Sequence, residues 1–169
     1  DLIPPAIAYT PFLNTSSVAN RILSATITDP SGVAAGGLTP RIYFKKTTDA
    51  GYVSTQCTGA YTCTVDYTLV GGGSVTTGET IQYFVVAQDV PGNVGANPSA
   101  GFTATDVNTV TAPPTTPNVY TIVPALSGTI LVGTAETITS LTNPGGVFET
   151  INNSDVVGNI TINITSDLA

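Results

Sequence analysis

Residues 80–89 read TIQYFVVAQD. Tyr83 to Ala87 form an unbroken apolar run of aromatic and β-branched side chains with one alanine, a composition that favours an extended strand. A strand with one wet face alternates apolar with polar residues, whereas a continuous run requires cover on both faces. This stretch is therefore expected to be the central strand of the fold. Shorter alternating runs surround it: AIAYTPF, RILSATITD, RIYFKKT, YVSTQ and TCTVDYTLV before it, and GFTATDV after it. Between them stand DPSG, TTDAG, GGGS and DVPGN, whose Gly, Pro and Asp residues are turn formers. Seven short strands punctuated in this way predict an all-β chain based on an immunoglobulin-like antiparallel β-sandwich.

Residues 112–118, APPTTPN, look like the limit of that sandwich. Three prolines among threonines favour an extended connector that cannot join a central strand. The expected division is a sandwich over residues 1–111, a linker over 112–118 and a small β-rich module over 119–169. Within the module VYTIV and GTILVG read as strands. In SLTNPGGVFETINNS, the spacing of Leu141, Val147, Phe148 and Ile151 predicts one short helix starting near Pro144, although Gly145 and Gly146 weaken it. The last stretch, GNITINITSDLA, alternates Ile160, Ile162 and Ile164 with Asn159, Thr161, Asn163 and Thr165, giving one apolar and one polar face. A module this small offers little core, so the partner strand is expected in a second copy or an adjacent repeat.

Charge is scarce. Only 9% of the residues are Asp, Glu, Lys or Arg, against roughly 25% in an ordinary domain. Polarity comes instead from Thr, Ser and Asn, and all four cations (Arg21, Arg41, Lys45, Lys46) lie within the first 46 of 169 residues. A net charge of −7 excludes nucleic acid, which needs phosphate-neutralising cations, and argues against an anionic membrane surface. No apolar run reaches the roughly 18 residues of a membrane span. Asp1 in place of Met marks a processed product or a segment of a longer chain.

Chemistry-bearing residues are equally sparse. Without His, no Ser/His or Cys/His nucleophile system can form, and the scattered carboxylates make no near pair, so no catalysis and no cofactor are expected. Cys57 and Cys63 bracket TGAYT, a spacing suited to a disulfide across a tight hairpin in an oxidising compartment. The competing reading, a metal-binding pair, lacks further His or Cys ligands. Asp29 in DPSG and Asp89 with Asn93 in DVPGN are oxygen-rich turns and weak calcium candidates, as are Asp1 and Asp106 at one end of a sandwich. Such residues more commonly cap their own turns. Lys46 shares strand parity with Ile42 and Phe44 and so points inward, as a side-chain crosslink to Asn would need, or else is solvated at the strand end. Asn14, Asn152, Asn159 and Asn163 each begin an Asn-x-Ser/Thr sequon and are glycosylation candidates.

DLIPPAIAYTP, RILSATITDPSGV, PRIYFKK and IQYFVVAQDVPGNVGANPSAGF together resemble the immunoglobulin-like repeats of large secreted surface proteins of gliding and environmental bacteria, over about residues 1–110. Residues 127–168 look like the start of the stacked-strand, β-helix-like segment that follows such repeats. The resemblance implies an extracellular or cell-surface bacterial protein with an adhesive or architectural role. The expectation is a self-associating subunit or repeat in which Ile160, Ile162 and Ile164 fill a neighbour's groove, building a fibre or stalk. The alternative is a monomeric carbohydrate- or protein-binding module presenting its end loops, where Tyr61 is the one tip aromatic.

Overall fold

The computed structural model describes residues 2–168, so Asp1 falls outside the described residues. The chain opens with β1 (Ala6–Ala8) and a long kinked strand, β2 (Arg21–Ser24) running through Ala25 into β3 (Thr26–Thr28). Alternation sets the faces here: Leu23, Ala25 and Ile27 are buried, while Ile22, Ser24, Thr26 and Thr28 are exposed. β4 (Arg41–Lys46) and β5 (Val53–Gln56) form a hairpin, and β6 (Thr62–Val65) follows. The expected strand TCTVDYTLV stops at Val65, because the Asp66 carboxylate accepts the Thr68 amide and caps a 3-10 turn over Tyr67–Leu69. β7 (Thr80–Gln88) and β8 (Val94–Asn97) come next, then β9 (Thr103–Asp106), β10 (Thr109–Ala112) and β11 (Asn118–Thr121). The chain continues through β12 (Ala125–Val132), α1 (Val147–Asn152) and β13 (Asp155–Ile164).

Two antiparallel layers make the sandwich. One has the order β5–β4–β7, with β8 and β11 both on the far edge of β7. In the other, β2 pairs with β6 and β3 with β1, the Ala25 amide continuing the ladder to the Tyr61 carbonyl at 3.1 Å. Between them lie Leu23, Ile27, Ile42, Phe44, Val65, Ile81, Tyr83, Val85 and Tyr120. Each side chain of this size contributes about 1.5–3 kcal/mol when removed from water. At one end Arg21 lies over Phe12 (4.2 Å) and Tyr120 (4.6 Å) and donates to the Leu13 carbonyl at 2.8 Å. That stacking ties residues 12 and 13 to the core. Tyr120 exchanges a 2.8 Å hydrogen bond with Tyr67, and burial pushes its phenol well above the ordinary tyrosine value.

β7 is covered on both sides, as its composition requires. Ile81, Tyr83, Val85 and Ala87 enter the sandwich core, while Phe84 and Val86 face outward against Tyr43. The cover on this outer face is an insertion. Asn97 of β8 pairs with Val85 and Asn118 of β11 pairs with Tyr83, so β8 and β11 form one line interrupted by residues 98–117. The interruption folds as the β9–β10 hairpin and lays Phe102, Val107 and Val110 on Tyr43, Phe84 and Val86. GFTATDV is thus a strand of this cover rather than of the sandwich.

The expected boundary over residues 112–118 is corrected by this pairing. APPTTPN is the return leg of the hairpin, with the Thr115 amide on the Ala100 carbonyl at 2.8 Å, and Tyr120 and Ile122 beyond it are buried in the sandwich core. Proline does not obstruct this path, because the segment re-enters the sheet only at Asn118. The C-terminal module therefore begins near Val123.

In that module β12 and β13 run parallel, with Ile130 opposite Ile162 and Val132 opposite Ile164, and α1 covers one face through Val147 and Ile151. The helix starts at Val147 rather than near Pro144. A Cβ on Gly146 would meet the Ser140 and Asn143 carbonyl oxygens at 2.7 Å, so the chain turns tightly here before it can coil.

Cys57 and Cys63 are joined and buried. Thr58 and Thr62 pair across the intervening turn as a tight hairpin would, but the flanking strands belong to different layers, β5 to one and β6 to the other. The disulfide therefore ties the two sheets where the chain crosses between them. Closing so short a loop restricts the unfolded chain by about 2 kcal/mol, and the Cys57→Ala/Cys63→Ala variant should lose about that much in urea denaturation while keeping its strand content. Replacing residues 98–117 by one residue, placed opposite Phe84 so that β8 runs straight into β11, should leave a folded sandwich that binds a hydrophobic dye through the uncovered Tyr43–Phe84 face; an unfolded product would contradict the insertion topology.

Candidate functional site

The three isoleucines singled out in the sequence lie on one strand, and that strand has a partner within the chain. β13 pairs along most of its length with β12, correcting the expectation that its partner belongs to another copy. The reason is complementary alternation: Leu126, Ile130 and Val132 of β12 share a small core with Ile160, Val147 and Ile151. Cover is incomplete, however. Ile160 is half-buried, Ile162 is 39% exposed and Ile164 is 53% exposed, while Val156 and Val157 are 51% and 57% exposed. No strand pairs with the outer edge of β13 among the described residues, and outside its β13 ladder β12 has the single bridge from Val132 to Ile138.

One side chain fastens this module to the sandwich. The Asp155 carboxylate accepts from the Ser16 amide (2.7 Å), the Ser16 hydroxyl (2.9 Å) and the Thr15 hydroxyl (3.4 Å). Thr15 is itself held by its amide on the Thr121 carbonyl and by its carbonyl under the Val123 amide. The Ser16 amide bond, followed by the Ser16 hydroxyl, holds the Asp155 carboxyl below the ordinary carboxylate range.

The oxygen-rich turns are spent on their own backbone. Asp29 accepts from the Ser31 amide and hydroxyl at 2.8 and 2.6 Å. The Asp89 carboxylate accepts from the Gly92 and Asn93 amides (2.7 and 2.6 Å) and from the Asn93 side chain (2.6 Å). Burial works to raise Asp89, but these bonds outweigh it and lower its carboxyl. Asp106 caps its own hairpin through the Asn108 amide at 2.6 Å. No group of three His, Cys, Asp or Glu side chains able to hold a metal occurs among the described residues.

Lys46 does point inward, and its amine sits 2.7 Å from the Glu79 carboxylate rather than beside an Asn amide. That bond is the leading cause of a lowered Glu79 carboxyl. The four sequon asparagines, Asn14, Asn152, Asn159 and Asn163, are exposed, with Asn14 also accepting the Thr121 amide at 2.9 Å. Tyr61 is no tip aromatic: it packs against the sandwich core in a left-handed conformation with φ of 63°.

A groove not anticipated from the sequence opens between the β4–β5 turn and the inserted hairpin, with a volume of about 540 Å³. Tyr43, Phe84 and Tyr52 form its aromatic floor and wall, and Lys45, Asn108 and Thr109 its polar rim. Tyr43 stacks on Phe84 at 5.3 Å and Tyr52 meets Phe84 edge-on at 5.0 Å. The Lys45 amine lies 5.3 Å from the Tyr52 ring centre and donates to the Asp49 carbonyl. Arg41, four residues before Lys45 on the same face of β4, donates to Ser54 Oγ and Asn108 Oδ1, steadying the hairpin tip. The sequence signal for this face was present: RIYFKK is apolar or aromatic in both phases of its alternation.

Among known protein families no model matches the chain, and no curated protein matches it either. No helix among the described residues is long and apolar enough to cross a membrane.

The lowered Asp155 carboxyl gives a pH signature. A depressed native value means that the anchoring is whole above an ordinary Asp value of about 3.9 and fades as the pH falls below it through the native value. The Ser16 amide resonance should therefore titrate with a midpoint below that value in the native protein, and this titration should vanish in Asp155→Asn. A midpoint at the ordinary value would show that the latch carries no charge-assisted bond.

Proposed function

We propose that the chain is an extracellular structural or adhesive subunit, or one repeat of a larger bacterial surface protein, that joins its neighbours by β-strand pairing. The observation that carries this reading is the open outer edge of β13, ten residues long, flanked by exposed Val156, Val157, Ile162 and Ile164. Parallel sheets normally occur covered on both faces and with more than two strands, so an isolated parallel pair is an incomplete element. Because β12 is also nearly free on its other side, β13 of one copy can add to β12 of the next and extend the parallel sheet. Such a head-to-tail contact leaves one open edge at each end and propagates a filament unless rotation closes it.

The surroundings favour this reading over a freely diffusing monomer. Apart from Asp155, which is engaged by Ser16, β12 and β13 carry none of the charged edge residues that block strand addition elsewhere. The disulfide suits an oxidising compartment. The motifs of residues 1–110 resemble repeats of secreted surface proteins, and the exposed sequons Asn14, Asn152, Asn159 and Asn163 leave room for glycans. Strand addition now replaces donation of the isoleucines to a foreign groove, since those residues are engaged with β12 at home.

Point charges test this better than truncation, which would strip β12 of its own partner. Sedimentation and negative-stain imaging of the wild type should show assemblies that grow with concentration, and Val157→Lys/Ile164→Lys should remain monomeric with an unaltered melting temperature. A monodisperse wild type at every concentration, or a lysine variant that assembles normally, would sink the reading.

A further inference from the structure

We propose that the groove between the β4–β5 turn and the inserted hairpin is a binding site for an acidic saccharide, a uronate-bearing sugar chain. The inference is independent of strand pairing, which involves the opposite end of the chain.

The first argument is shape. A volume of about 540 Å³ falls within the range of about 300–1,000 Å³ typical of small-molecule sites, and the lining is mainly aromatic and apolar with a few polar groups at the rim. A pyranose ring has apolar C–H faces and a polar edge. Tyr52, Val110 and Pro113 offer a wall for such a face, while Thr109 and Asn108 stand where ring hydroxyls would need partners. The hairpin that builds half of this wall is an insertion within one strand, the kind of addition that carries binding on a rigid scaffold.

The second argument is charge. In a chain of net charge −7, the four cations are divided by position. Arg21 is stacked on Phe12 and Tyr120, and Lys46 is paired with Glu79. Among the described residues the other two, Arg41 and Lys45, hold only neutral acceptors: Ser54 Oγ, Asn108 Oδ1 and the Asp49 carbonyl. Both project from the face of β4 that presents Tyr43 to the groove. The bordering carboxylates are already engaged, Asp49 by the Lys46 and Gly71 amides and Asp106 by the Asn108 amide. Cationic charge without a carboxylate partner, beside an aromatic wall, complements a ligand that combines a carboxylate with a flat apolar ring. A neutral sugar would leave Lys45 unused, and a plain polyanion would leave Tyr52 unused.

Calorimetry at low salt with alginate oligomers, neutral maltooligosaccharides and polyglutamate separates these cases. The wild type should bind the alginate oligomers, more weakly at higher salt, and bind the other two at least about tenfold less tightly. Lys45→Gln should weaken alginate binding about tenfold or more, and Tyr52→Ala should remove it. Lys45 is only partly buried, so its variant keeps the fold even if Tyr52→Ala does not. Absence of alginate binding, equal binding of polyglutamate or maltooligosaccharide, or an undiminished affinity in a folded Lys45→Gln would each overturn the assignment.

Discussion

Burial of β7 on both faces is the constraint from which the rest of this protein follows. Its inner side chains, Ile81, Tyr83, Val85 and Ala87, need the second sheet of the sandwich, and its outer ones, Phe84 and Val86, need a further layer. The sandwich supplies the first through β2, β3 and β6. It supplies the second by interrupting its own edge strand and folding residues 98–117 back across the sheet. Leaving Phe84 and Tyr43 wet would forgo about 1.5–3 kcal/mol for each ring, so the insertion is a stabilising cover before it is anything else.

The groove is a by-product of that solution. The hairpin covers the middle of the sheet and stops short of the β4–β5 turn, leaving Tyr52 and Lys45 facing Thr109 and Asn108 across open space. Arg41 braces the hairpin through Asn108, whose amide also reaches the Gly37 carbonyl at 3.0 Å. A scaffold contact, Arg41, and a candidate ligand contact, Lys45, thus come from one face of β4, the outward one that also carries Tyr43, while Ile42 and Phe44 point inward.

The C-terminal module obeys the same rule with fewer residues. Val147 and Ile151 of α1 cover the face formed by Ile130, Val132 and Ile160, and among the described residues nothing comparable covers the other face or the outer edge of β13. Because Asp155 and the Thr15 ladder anchor the start of β13 to the sandwich, the exposed edge is held in a defined place rather than left to fray. An anchored edge with little charge is well suited to adding strands, which gives the assembly reading its physical content.

Local patterns in the sequence determined the all-β class, the central strand, the disulfide, the short helix and the alternation of the last strand, because each depends on neighbours within a few residues. TIQYFVVAQD demanded two-sided burial, and Ile160, Ile162 and Ile164 demanded an apolar partner, wherever these lay. Only the tertiary structure decided what met those demands. APPTTPN has the composition of a linker, and VGANP that of a turn. The first is instead the return leg of an insertion in a single edge strand and the second the strand end from which that insertion leaves, a fact encoded in the pairing of Asn97 with Val85 and Asn118 with Tyr83. The partner of the last strand was decided in the same way: Ile130 and Val132, thirty-two residues upstream in register, compete with any foreign strand by being tethered to it. The groove was hidden for the same reason, since Tyr43 and Phe84 belong to two strands and Tyr52 to the connection before β5, and they meet Thr109 only after the insertion folds over them. Periodicity along a chain reports which faces must be covered; which distant segment covers them is settled by packing between elements far apart in sequence.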